Sequence, residues 1–166
     1  SLRIPIDCLK SNITTFDNNE TELHFVDTPL IDAINIIGEL HRLKFFPDEN
    51  AMKEAGIALD EPVNIFISGV TLRDGLDLML LPFGLDYVAE HGVVHVTTKV
   101  VADQKLKIEI HTNLTSPQEN PEELIELITT LVEPDSWAQL GGRGVIRPYK
   151  NGLIILQTQR THHKIS

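Results

Sequence analysis

The chain has 166 residues, 42% of them apolar, which suffices for one substantial domain or two small ones with real cores. Fourteen Lys and Arg against twenty-four Asp and Glu give a formal net charge of −10, and the cations are scattered, so the surface repels a polyanion such as nucleic acid. The lone Cys8 excludes an internal disulfide, and no apolar run approaches the ~20 residues that cross a bilayer.

Residues 1–21, with SNITTFDNNETE, read as a poorly patterned lead-in. The residues given read as containing no signal-peptide pattern, and both ends read as cut, because the chain starts without Met and stops at THHKIS in the first turn of a helix. Sequons at Asn12, Asn19 and Asn113 matter only in a glycosylating host.

Residues 22–98 contain an internal repeat offset by 42 positions: LIDAINII from Leu30 lies over LRDGLDLM from Leu72, and LKFF from Leu43 lies over LDYV from Leu85. Each copy reads strand, helix, strand. The leading strands are ELHFV and VNIFIS, the second rich in β-branched and aromatic residues. The first helix is expected to be capped at Asp27 or Thr28 with Pro29 at N1, the second at Thr71 with Asp74 three residues on. In the first helix Asp32, Asn35, Glu39 and Arg42 form a thin wet strip, which predicts a helix covered on two sides. Two central helices between two small sheets satisfy that pattern. DENAMKEAGIALDEP reads as a short helix and loop, and LDYVAEHGVVHVTT as a hairpin turning at His91-Gly92.

A polar linker over 99–105 leads to a second unit over 106–166. KLKIEIHTN alternates as a strand. In NPEELIELITTLVEP, Asn120 is the N-cap, Pro121 sits at N1, Glu123 has capping-box spacing, and Leu124, Leu127, Ile128 and Leu131 form the stripe. VIRPYKNGLIILQTQ reads as two strands joined at Asn151-Gly152. The fold class is α+β: a βαβ-repeat unit, then a β-α-β-β-α unit whose last helix is truncated.

Gly141-Gly142-Arg143-Gly144 invites a phosphate-loop reading, but it follows a helix and precedes a strand, with no Lys-Ser/Thr pair after it. The turn reading makes Trp137 a buried anchor and Arg143 a wet loop tip.

FVDTPLIDAINIIGELHRLKF and DEPVNIFISGVTLRDGLDLMLLPFGLDYVAEHGVVHVTT together resemble the short N-terminal (STN) domain of bacterial secretins and TonB-dependent receptors. LIELITTLVEPDSWAQLGGRGVIRPYKNGLIILQTQRTHHKI resembles a secretin ring-building, N1-like domain. The resemblance implies a non-catalytic module in the periplasm or cell envelope, which stacks into rings or receives a partner's peptide. It carries no catalytic, cofactor or metal residue over, and it implies protein partners without nucleic acid or direct membrane contact.

The β-α-β-β-α order also matches a KH-type RNA binder, yet the KH loop joins two helices and needs basic help. For an enzyme, no nucleophile context surrounds Cys8, Ser68 or Ser136, and the seven histidines read as no ligand set, His24, His41 and His111 having no Cys or carboxylate at an expected ligand spacing. The expected interaction residues are Trp137 and Arg143 in the glycine loop, and Val93, His95 and Thr97 on an exposed strand edge open to strand addition.

Overall fold

The computed structural model describes residues 16–112 and 120–166, and the chain divides into two units between Ala102 and Asp103. Cys8, Asn12 and Asn113 lie outside the described residues. The fold is α+β.

The first unit runs β1 (Glu20–Pro29), α1 (Leu30–His41), β2 (Lys44–Pro47), α2 (Glu49–Glu54), β3 (Pro62–Thr71), α3 (Leu72–Leu80), β4 (Leu85–Glu90), β5 (Val93–Thr98) and α4 (Lys99–Ala102). β1 and β3, the leading strands of the two repeats, pair antiparallel as a two-stranded ribbon. The closing strands β2 and β4 flank β5, β2 parallel to it and β4 antiparallel. The buried sides of α1 (Leu30, Ile34, Ile37) and α3 (Leu72, Leu76, Met79) meet residues of both sheets in one core.

Four expectations need correction here. α1 has no side-chain cap: β1 continues through Pro29, and the first helical N–H groups, those of Leu30 and Ile31, donate to the Glu61 and Leu59 carbonyls at 2.9 Å each. A neighbouring strand approach thus satisfies the donors that a cap would have served, while Asp27 is engaged by Asn64 instead. The wet face of α1 is wider than the expected strip, for Ile36 and Leu40 are exposed alongside Asp32, Asn35 and Glu39. The lead-in contributes to the core, because Phe16 is buried against the Tyr87 ring, with centroids 5.4 Å apart, and Asp17 forms a two-pronged pair with Arg73 at 2.7 and 2.8 Å. Residues 99–102 of the expected linker are the helical turn α4, tied to Gly84 by the Lys99 N–H at 3.0 Å.

α2 is held to β5 by one carboxylate. Asp48 Oδ1 accepts from Ala51 N at 3.1 Å as the N-cap, and Oδ2 accepts from the buried Thr97 hydroxyl at 3.0 Å.

The second unit runs β6 (Leu106–Thr112), α5 (Pro121–Leu131), two 3₁₀ turns at Pro134–Ser136 and Ala138–Leu140, β7 (Val145–Tyr149), β8 (Gly152–Thr158) and α6 (Gln159–Ile165). Its antiparallel sheet has the order β6-β8-β7. Asn120 caps α5 through Glu122 N at 3.1 Å. The buried stripe of α5 is rotated from the expected one: Leu124, Ile125 and Ile128 face the core, whereas Leu127 and Leu131 are exposed. The hairpin turns at Lys150-Asn151, one residue early, with Tyr149 opposite Gly152. Gly152 is needed in the strand itself, where a Cβ would collide with the His111 carbonyl.

Asp48→Ala should destabilise the first unit by about 2 kcal/mol, about 1 from the lost cap and about 1 from the buried hydroxyl left unpaired. Asp48→Asn, which keeps a partner for both groups, should cost less than about 0.5 kcal/mol in the same urea melts.

Candidate functional site

The second unit's sheet has one covered and one open face. On the covered face, Ile146, Leu153 and Ile155 pack with Ile128 around Trp137, which is 1% exposed. The indole N–H donates to the Val132 carbonyl at 2.7 Å, so the buried ring leaves no donor unmet. The tryptophan is therefore an anchor of the core.

The glycine loop closes on itself around that anchor. The N–H groups of Gly141, Gly142 and Gly144 donate to the carbonyls of Ala138, Trp137 and Ser136 at 3.2, 2.9 and 2.8 Å. A Cβ at Gly142 would collide with the Ser136 backbone, and one at Gly144 with the buried Gln157 side chain. Gln157 in turn donates to Ser136 Oγ at 2.6 Å. Loop donors already used within the loop cannot converge on an anion, which removes the physical basis of both the phosphate and the KH readings. Arg143 is exposed as expected, but its tip is not idle: Nη2 donates to the Gln104 and Asp103 carbonyls at 3.1 and 3.4 Å, fastening the approach to β6.

β5 is no edge. It is the middle strand of its sheet, with Val93 to Val96 paired to β2 and the whole strand paired to β4. Strand addition at Val93 and His95 meets backbone already paired on both sides, while Thr97 pairs with Asp86 of β4 and its hydroxyl is bound to Asp48. His95 lies near the Phe46 ring, with centroids 6.3 Å apart.

The open face of the second sheet reads directly from its register. Ile108, Leu156 and Val145 form one cross-strand row, and Ile110, Ile154 and Arg147 the next. Ile108 and Ile110, on the edge strand, are 52% and 44% exposed. Their periodicity was visible in KLKIEIHTN, but not which of its faces the helices would cover.

On the covered side of β6 the structure joins residues that the sequence reading kept apart. Glu109, His111 and His162 bring one ligand atom each within 4.8 Å of the others. Glu109 and His111 are two apart on a strand and so share a face; that spacing was the overlooked signal. His162 arrives from α6, 51 residues on from His111. Its Nε2–H donates to the Lys107 carbonyl at 2.9 Å, leaving Nδ1 bare and 3.0 Å from His111 Nε2. Burial pushes the pKa of His111 below the ordinary histidine value, helped by His162 and opposed by Glu109. Burial likewise lowers His162, against the opposing pull of Glu109.

No family model and no curated protein matches the chain. Solved structures similar to it include XcpQN012, at 16% identity over 88% of this chain and 61% of that one, with a TM-score of 0.36. The V. cholerae type IV competence pilus secretin PilQ is similar at 17% identity over 86% of this chain and 36% of that one, TM-score 0.38. The enterotoxigenic Escherichia coli GspC–GspD complex of the type II secretion system is similar at 12% identity over 89% and 94% of the two chains, TM-score 0.31. The chain spans about three fifths of the XcpQ chain and about a third of the PilQ chain.

Two predictions follow from this geometry. Trp137→Ala should destabilise the second unit by ~3 kcal/mol or more, and Arg143→Ala by less than about 1 kcal/mol, its hydrogen bonds being solvent-exposed; urea melts distinguish these from the reverse ranking. In the metal-free chain under chelator, His111 and His162 have folded pKa values below the unfolded ~6.5. Below about pH 6.5 the unfolded chain then binds more protons, so stability is retained above that pH and lost as pH falls through it. The urea midpoint should be lower at about pH 5.5 than at about pH 7.5, and His111→Gln combined with His162→Gln should shrink that difference.

Proposed function

We propose that the chain is a non-catalytic assembly module of a bacterial cell-envelope protein, secretin-like or receptor-like, which works by protein contact in the periplasm. The observation that carries this reading is the open apolar face of the second sheet, formed by Ile108, Ile110, Val145, Ile154 and Leu156. An apolar sheet face left in water is a surface made for a partner. The STN-like and N1-like residue patterns supply the setting, since modules of that kind meet copies of themselves or neighbouring envelope proteins.

Ring-building makes a second copy of the chain the first partner to test. Single contacts of this size are weak, and closed symmetry multiplies them. The glycine loop, whose donors are internally used, gives the module rigidity rather than a ligand.

Ile108→Lys combined with Ile110→Lys should change unfolding stability by less than about 1 kcal/mol, because both side chains are half in water. Sedimentation equilibrium should show the parent self-associating below about 1 mM and the double variant monomeric. A parent that stays monomeric, or a variant that associates equally well, would count against self-assembly through this face.

A further inference from the structure

We propose that Glu109, His111 and His162 form a binding site for a single zinc-class divalent transition-metal ion. The three ligand atoms are Glu109 Oε2, His111 Nε2 and His162 Nδ1, separated by 3.0 Å between the nitrogens and by 3.8 and 3.6 Å from the oxygen to each. A triangle with those sides has a circumscribed radius of about 2.0 Å, which is the length of a zinc–imidazole or zinc–carboxylate bond. An ion near its centre meets all three at bonding distance without moving the backbone.

The surrounding groups are those that metal ligands require. His162 donates its other ring hydrogen to the Lys107 carbonyl, which fixes the tautomer that presents a bare Nδ1. Lys107 Nζ lies 3.4 Å from Glu109 Oε1, holding that oxygen and leaving Oε2 turned toward the nitrogens. At 3.6 and 3.8 Å, neither imidazole hydrogen-bonds Oε2. Yet the three side chains are only 11%, 9% and 1% exposed. A carboxylate oxygen beside two imidazole nitrogens and hydrogen-bonded to neither is placed to share a cation with them.

Without the ion, the nitrogens share one hydrogen, with His111 Nε2–H donating to His162 Nδ1. On binding, the ion takes that place and His111 carries its hydrogen on Nδ1, so both imidazoles stay neutral and no proton is released. The pair of imidazoles selects zinc, cobalt or nickel over calcium or magnesium, which prefer all-oxygen sites. Two histidines and a carboxylate leave a fourth position, filled by water. The ion would clamp α6 onto β6, joining the end of the described chain to the strand that carries Ile108 and Ile110.

The test is isothermal calorimetry and thermal melting of the untagged chain with zinc sulfate, with cobalt absorption as a second readout. One saturable equivalent, a melting temperature that rises with zinc, and tetrahedral cobalt bands are expected. Glu109→Gln and His111→Gln should each weaken zinc binding by at least about tenfold. Should His111→Gln fail to fold, Glu109→Gln, at the more exposed carboxylate, decides alone. Absence of saturable binding to the folded parent, or unchanged affinity in the folded variants, would overturn the proposal.

Discussion

A three-stranded sheet with two short helices can be covered on one face only, and the second unit is built around that limit. Its helices and the loop between α5 and β7 cover the side bearing Ile146, Leu153 and Ile155. Trp137 makes so small a core sufficient, since one buried indole supplies more area than any aliphatic side chain. Everything from Val132 to Gly144 serves to seat that ring: the Val132 carbonyl takes its N–H, the two 3₁₀ turns fold the chain back, and Gly142 and Gly144 allow the backbone to pass where a Cβ could not. The opposite face, which neither described helix of this unit covers, stays apolar and open.

The first unit solves the same problem differently. Its repeat puts two helices between two sheets, so α1 and α3 each meet the ribbon and the three-stranded sheet in one core. Two of its uncovered apolar side chains, Val26 and Phe66, lie on the ribbon, where Phe66 is 78% exposed and stacks on His24, with centroids 4.0 Å apart. Arg73 and Asp17, on elements 56 residues apart, add a charged pair at the edge of that core. A pair of this kind fixes position more than it stabilises.

What could be read from the sequence was whatever local chemistry decides. The order of strands and helices, the Asn120 and Thr71 caps, the His91-Gly92 turn and the buried Trp137 all follow from signals within a few residues. What could not be read depends on partners far along the chain. Whether β5 lies at an edge is settled by β2, which arrives from another repeat and pairs with it in parallel. Periodicity shows α5 to be amphipathic, but an apolar set spanning Leu124, Ile125, Leu127, Ile128 and Leu131 allows more than one stripe, and the packing chooses Ile125 over Leu127 and Leu131. The cluster at His111 needed both kinds of information: Glu109 two residues away was in view, His162 was not.

β6 is where the two faces of the second unit meet in a single strand. Successive residues point to opposite sides, so Ile108 and Ile110 face solvent while Lys107, Glu109 and His111 face α6. A slip of one residue would bury two carbon-rich side chains and expose the other set, at once removing the open apolar face and dispersing the Glu-His-His group. The two sites are therefore not independent features of the surface. The Lys107 carbonyl that holds His162, and the fastening of Gln104 by Arg143 just ahead of the strand, both act to keep this register. An edge strand has a neighbour on one side only, and here side-chain bonds from α6 and from the glycine loop supply the restraint that a second neighbouring strand would otherwise give.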